Sequence, residues 1–283
     1  MKLCFNEGTS YQCKNHSLMA DLEACEKYGF DYIDIRFDVL DHYLKEHPVE
    51  ELAEWFRAHR LKPFTYSAFC FFNWKKTEAE KEAVFAEMKR LIPILNAIDM
   101  KTVAVVPSFA IEEHASVDEI KEDAVAMLAR LADMCAPHGI RLSLEFCGAP
   151  ACTINRFDTA YDIVRAVDRE NVGIVLDQFH FYAMGSCWED LEKADGHLIT
   201  NYHLDDAENL PVGAPYNTDA KRLWPGDGCL DMERFTTTLE KIGFDLGITT
   251  IEVFRPAYYE LSVDENVKTA MEKTRAFVDK YFA

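Results

Sequence analysis

The sequence predicts a single (β/α)8 TIM barrel with its chemistry at the C-terminal ends of the strands. Three observations carry this. About eight short apolar runs alternate with helical patterns along 283 residues, with no composition break between the halves. One of these runs, Asn171–His180 (N-V-G-I-V-L-D-Q-F-H), is apolar at Val172, Ile174, Val175 and Leu176 and then turns abruptly to Asp177 and His180. Three further runs also end on a metal-type ligand: Glu145 in L-S-L-E-F, His203 in I-T-N-Y-H-L and Glu252 in I-T-T-I-E-V. A short strand that is apolar throughout is buried on both faces, as in a parallel sheet covered by helices. Charge placed where such a strand leaves the barrel is where this architecture keeps its active site.

The elements follow in order. Lys2–Asn6 opens as a strand. Leu18–Tyr28 has helical spacing at Leu18, Leu22 and Cys25, and Gly29 stops it. Tyr32–Arg36 is the second strand, and Pro48 opens a helix with Leu52, Trp55 and Phe56 on one face. Lys62–Ala68 is the third strand and runs into an aromatic loop, Phe69–Trp74. Glu78–Ile98 reads as a helix, apolar at Val84, Met88, Leu91 and Leu95, with Pro93 as a kink site. Thr102–Val106 is the fourth strand, and Val117–Ala136 is an amphipathic helix ended by Pro137–Gly139. Arg141–Phe146 is the fifth strand, and Asp158 is read as the cap of a helix through Val167. Val172–Asp177, Trp188–Ala194 and Leu198–Leu204 are strand, short helix and strand. A loop rich in Pro, Gly, Asn and Asp runs to about Gly228. Asp231 caps a helix through Ile242, Thr249–Val253 is the eighth strand, and Val263–Tyr281 closes the chain. The structural rival is an open doubly wound sheet. It would carry a glycine-rich phosphate turn after the first strand. Here that turn is E-G-T-S-Y, with one glycine.

Composition narrows the function classes. The formal net charge of −19 repels phosphate backbones and anionic membranes, so neither nucleic acid nor membrane is expected as a partner. It favours a small neutral substrate. No stretch approaches the roughly 20 apolar residues of a membrane span. The opening M-K-L-C-F-N-E-G turns polar too early for a signal peptide, so the expected location is cytoplasmic. Nine cysteines, an odd number without a C-x-x-C, argue against a disulfide framework or a zinc ribbon.

Three carboxylates and one imidazole, Glu145, Asp177, Glu252 and His203, suit Mn²⁺, Zn²⁺, Co²⁺ or Fe²⁺, whereas an all-oxygen set would suit Mg²⁺ or Ca²⁺. Their separations are long, so spacing alone is no metal signature. Loops often carry such residues as caps and solvated charges. His180, three positions after Asp177, can point into the same pocket, or can pack among Phe179, Phe181 and Tyr182. Arg222 precedes W-P-G-D-G, bringing a guanidinium, Trp224 and a tight turn over the seventh strand. A guanidinium there can bond hydroxyls or a developing oxyanion; the plainer reading is a solvated loop charge. Glu7, Arg36 and Arg255, at strand ends, are weaker candidates. Phe69, Phe71, Phe72 and Trp74 read as an apolar wall or as core. His59, His114, His138 and His197 read as structural or exposed.

These residues resemble the xylose-isomerase-like barrel superfamily of sugar isomerases and epimerases. The matching motifs are the four strand-end ligands, D-x-x-H at Asp177–His180 and R-x-x-P-G at Arg222–Gly226. Longer stretches, M-K-L-C-F-N-E, N-V-G-I-V-L-D-Q-F-H-F-Y-A-M-G-S, W-P-G-D-G and E-V-F-R-P-A-Y-Y, resemble the branch that serves inositol catabolism and cover the chain nearly end to end. The resemblance implies one domain over residues 1–283 and one divalent metal (Mn, Zn or Co) held by Glu145, Asp177, His203 and Glu252. It implies that the ketone of a cyclic keto-polyol moves by proton transfer through a metal-stabilised enediolate. Glu145 and Glu252 would move the proton; His180, Arg222 and Trp224 would contact substrate. Other members of the superfamily remain alternatives: ketose 3-epimerase, hydroxypyruvate isomerase or inosose dehydratase. The sequence departs from the ketose 3-epimerases in its longer loop from His203 to Arg222 and in lacking a second glutamate soon after Glu145. More distant alternatives are a metal-dependent abasic-site endonuclease, which would need a basic groove, and a non-catalytic binding barrel. A homo-oligomer is left open.

Overall fold

Eight parallel strands pair edge to edge and close on themselves in the order β1-β8-β7-β6-β5-β4-β3-β2. They are β1 (Lys2–Asn6), β2 (Tyr32–Arg36), β3 (Lys62–Cys70), β4 (Thr102–Val106), β5 (Arg141–Glu145), β6 (Val172–Asp177), β7 (Ile199–Leu204) and β8 (Ile248–Ile251). The structure is a computed structural model and describes residues 1–109, 115–215 and 218–282; His114 lies outside the described residues. The ring closes where Lys2 pairs with Ile248 and Phe5 with Ile251. The expected single α/β barrel is therefore the fold.

The helices are α1 (Leu18–Tyr28), α2 (Phe37–Tyr43), α3 (Val49–Ala58), α4 (Glu78–Ala97), α5 (Val117–Cys135), α6 (Phe157–Val167), α7 (Gln178–Ala183), α8 (Trp188–Leu191), α9 (Met232–Lys241) and α10 (Val263–Tyr281). Short polar side chains start the long ones. Thr77, Ser116 and Ser262 each accept from the backbone three residues on, and Glu80, Glu119 and Glu265 return the bond, forming capping boxes. Such a cap contributes about 1 kcal/mol. Gly29 ends α1 at φ +93°, a conformation a side chain would resist. The strands bury apolar side chains such as Ile33, Leu142, Ile174 and Leu204 completely. Each buried side chain of this kind contributes about 1.5–3 kcal/mol.

Several expectations need correction. Asp158 does not cap α6; Arg156 occupies that position without a side-chain bond, and Asp158 sits in the first turn. α4 runs through Pro93 as expected and ends at Ala97, one residue before Ile98. β3 runs two residues further than expected, through Phe69 and Cys70, because these pair with Val105 and Val106 of β4. Of the aromatic stretch, Phe69 and Phe72 are core, while Phe71 is exposed against Phe109. β8 stops at Ile251, leaving Glu252 one residue beyond its end. The long loop after β7 holds a two-residue antiparallel ribbon, Asp206–Ala207 with Arg222–Leu223.

Register determines what the barrel mouth contains. Residues paired across parallel strands point to the same side, as do residues two apart on one strand. Glu145 pairs with Val175, which is two before Asp177; Asp177 pairs with His203; His203 pairs with Thr250, which is two before Glu252. All four ligand candidates therefore project to the same side. Just below them lies a polar layer in which Asn201 donates to Thr65 and accepts from Thr250.

Candidate metal centre

Glu145, Asp177, His203 and Glu252 each bring one ligand atom to a common point, with all four atoms within 4.8 Å of one another. His203 Nδ1 lies 3.1 Å from Glu145 Oε1, 3.1 Å from Glu252 Oε2 and 3.6 Å from Asp177 Oδ2. Four ligands at about 2.0–2.2 Å from a tetrahedral ion stand about 3.3–3.6 Å apart, so the spacing fits one cation. The imidazole nitrogen makes no hydrogen bond to any of these oxygens despite the short distances. It aims between them, as a ligand sharing their ion would. Burial makes the same point: His203 and Asp177 are 0% exposed, Glu145 and Glu252 5% and 4%. Buried carboxylates need a compensating cation, and nitrogen with oxygen donors suits Zn²⁺, Mn²⁺ or Co²⁺.

Asp177 does three things at once. It ends β6, its Oδ1 accepts the His180 N–H at 2.7 Å and so caps α7, and its Oδ2 faces both His203 and Arg222. Burial alone would raise its carboxyl, but the Arg222 guanidinium above all holds it well below the usual carboxylate range. His203 shows the opposing pattern. Burial disfavours its charge, yet Glu252 and Glu145 lift its affinity for a proton well above the ordinary imidazole value.

Arg222 is fully buried and is not the solvated loop charge that its neighbours in sequence suggest. Its Nη1 donates to Asp177 Oδ2 at 2.5 Å and to Asp205 Oδ2, and lies 3.3 Å from Glu252 Oε2. Its Nη2 donates to Asp219 Oδ1 at 3.1 Å and meets His180 Nε2 at 3.2 Å. Phe179 and Phe254 lie against the guanidinium, with ring centres 5.1 and 5.4 Å away. A guanidinium only donates, so His180 Nε2 is the acceptor in this contact and the ring N–H is the one on Nδ1. That Nδ1 is buried and has no hydrogen-bond partner.

The sequence reading did not single out Asp205, Asp206, Asp219 or Asp34. Asp206 organises the W-P-G-D-G turn: its Oδ2 accepts from Gly226 and Gly228 and its Oδ1 from Leu230. A Cβ on Gly228 would lie 2.4 Å from the Ala207 carbonyl, so the turn fits only with glycine there. Trp224 lies in this turn, buried and stacked on Tyr258 with ring centres 4.5 Å apart. Arg36 pairs with Asp38 and Arg255 with Glu208. His59, His138 and His197 are engaged by Trp55, Asn96 and Asp245.

Glu7, His16 and Asp21 also converge. Glu7 Oε2 accepts from Arg36 N–H at 2.8 Å, Asp21 Oδ1 from the Ser10 hydroxyl at 2.7 Å, and Asp21 Oδ2 meets His16 Nε2 at 3.0 Å. Burial, then Asp21, pushes the Glu7 carboxyl well above its ordinary value. Glu7 Oε2 and both Asp21 oxygens thus already have partners within the protein.

The chain belongs to the xylose isomerase-like TIM barrel family, whose model matches residues 22–280. Within it, the chain is 45% identical over 283 residues to the inosose isomerase of Bacillus velezensis, covering 100% of this chain and 99% of the relative. It is 44% identical to the inosose isomerase of Bacillus subtilis, over all of both chains. It superposes at TM-score 0.95, with 44% identity and complete coverage of both chains, on a crystal structure of the IOLI protein with a binding zinc atom.

Proposed function

We propose that this protein is an inosose isomerase, a metal-dependent enzyme that moves the ketone of 2-keto-myo-inositol to the neighbouring ring carbon, giving 1-keto-chiro-inositol. The observation that carries the reading is full-length identity of 45% to a relative of that name, in a chain whose strand ends bring a four-ligand centre together.

The residues divide by exposure. Asp177 and His203 are shut off from solvent, while the Glu145 and Glu252 side chains keep 7% and 5% exposure. The first pair would hold the cation. The second pair would hold it too and, being in part exposed, would also reach the substrate. A divalent cation bound there would supply Lewis acidity at the ketone oxygen, which makes the adjacent C–H more acidic. One glutamate takes the proton from the hydroxyl-bearing carbon. A proton returned to the former carbonyl carbon, with the hydroxyl proton passing to the other oxygen, leaves the ketone one position along. The same glutamate or its partner can make that return. His180 Nδ1–H, unpartnered in the wall of the site, donates to a substrate oxygen. Arg222 sets the charge that His180 and Asp177 feel, and Trp224 stiffens the turn carrying it.

The proposal places the enzyme in the cytoplasm, acting on a small neutral polyol without nucleic acid or membrane. All nine cysteines are free, which suits a reducing compartment. No helix among the described residues is long and apolar enough to cross a membrane. The test is to incubate the metal-loaded protein with 2-keto-myo-inositol in D₂O and follow the ring protons by NMR. Deuterium at the exchanged carbon and a second inosose support the reading. Exchange on linear ketoses alone, or loss of water from the inosose, overturns it.

A further inference from the structure

We infer that Asp34 is a positioning residue for the metal centre: its carboxylate takes the Nε2–H of His203 and so presents Nδ1, unprotonated, to the cation. The inference rests on the metal reading of that centre and extends it beyond the four ligands.

Asp34 sits in the middle of β2, in Y-I-D-I-R, where Ile33 and Ile35 are fully buried; Asp34 is 0% exposed. One of its oxygens is committed. Oδ1 accepts the Thr65 N–H at 3.0 Å and the Cys4 S–H at 3.3 Å. The other has no hydrogen-bond partner. Facing it, 3.9 Å away, is His203 Nε2, which has none either. A buried carboxylate oxygen left unpaired is costly. Here its complement is the nearest polar atom of the ring, and an approach of about 1 Å completes the bond. On the far side of the same ring, Nδ1 points among Glu145, Asp177 and Glu252. An imidazole that coordinates through one nitrogen donates through the other, and the acceptor determines which nitrogen keeps the proton.

A purely structural Asp34 would serve Thr65 and Cys4 through Oδ1, and an asparagine carbonyl would serve both as well. Asp34→Asn separates the two roles. Its carbonyl keeps the Thr65 bond, which leaves the NH₂ facing Nε2. An amide NH₂ only donates, so it favours a bare Nε2 and a proton on Nδ1, the nitrogen the metal needs.

The experiment measures zinc affinity by chelator competition for wild type and Asp34→Asn, with the unfolding midpoint of each metal-free protein. The expected result is a dissociation constant raised about 10- to 100-fold at a nearly unchanged midpoint. Equal affinity in the two proteins overturns the inference and leaves the metal centre standing. A wild type that binds no zinc overturns both. Should the variant not fold, ¹⁵N NMR of zinc-loaded wild type decides: a His203 proton on Nε2 supports the inference, and its absence from Nε2 overturns it.

Discussion

Arg222 Nη1 lies 2.5 Å from Asp177 Oδ2, the same carboxylate oxygen that faces the His203 ring. These residues are 45 positions apart in the chain. One oxygen thus serves a guanidinium on one side and a cation site on the other. The arginine lowers the charge density that a metal would otherwise have to neutralise alone, and it keeps Asp177 ionised when the metal leaves.

Removing that guanidinium should be expensive. Arg222→Met leaves Asp177, Asp205 and Glu252 with an uncompensated buried charge. Loss of one partner from a buried pair costs about 3–5 kcal/mol. Denaturant unfolding of the metal-free variant checks this. A loss below about 1 kcal/mol, the range of exposed pairs, would mean that the charges are paired some other way.

Glu145→Gln and Glu252→Gln should each cut turnover by about 100-fold or more, the contribution of a general base, while the fold persists. Glutamine keeps the shape and one oxygen but cannot take a proton. Steady-state rates on 2-keto-myo-inositol, with circular dichroism as the fold control, check this. Near-normal rates in both variants would remove the proton-transfer assignment.

Metal stripping should abolish activity, and Mn²⁺ or Co²⁺ should restore it. Binding should also stabilise the fold, because a ligand that binds only the folded state adds about 2.7 kcal/mol at 100 times its dissociation constant. Calorimetry with and without metal reads this directly. An unchanged melting temperature under saturating metal would contradict a site built from four separate strand ends.

Glu7 makes a prediction about pH. Burial, then the neighbouring Asp21, raises its carboxyl well above the ordinary 4.5 in the folded chain. The folded state therefore holds this proton more tightly than the unfolded state does. Its stability contribution is complete below pH 4.5 and is lost as pH rises through the folded value. Glu7→Gln cannot ionise, and its amide oxygen can still accept from Arg36 N–H. The variant's melting temperature relative to wild type should therefore climb as pH rises from about 4.5 to neutrality. A difference that stays constant with pH would show that Glu7 is ionised where it sits.

Much of the barrel was legible because its strands are short and apolar and its ligands close them. β1, β2, β4 and β6 begin and end where the sequence places them, and α1 and α10 match residue for residue. The convergence of Glu145, Asp177, His203 and Glu252 was legible for the same reason: a charge ending an apolar run has few structural uses in this fold. The short helices were less legible. α7 begins directly after a metal ligand, and its Q-F-H-F-Y-A offers few strong helix formers; its cap is Asp177, already assigned to the strand. α2 likewise starts at the end of β2 without any side-chain cap. Asp205 and Asp206 look like an ordinary acidic loop, and nothing local reveals that one pairs with Arg222 and the other holds three backbone N–H groups. Asp34 did carry a signal: an aspartate between two isoleucines in a strand is buried, and buried carboxylates have partners.

Anomalous scattering at the zinc edge from a crystal of the metal-loaded protein tests the central claim most directly. The account predicts a peak about 2.0–2.2 Å from one atom each of Glu145, Asp177, His203 and Glu252. A peak on Glu7, His16 and Asp21 instead, or none at the barrel mouth under saturating zinc, would contradict it.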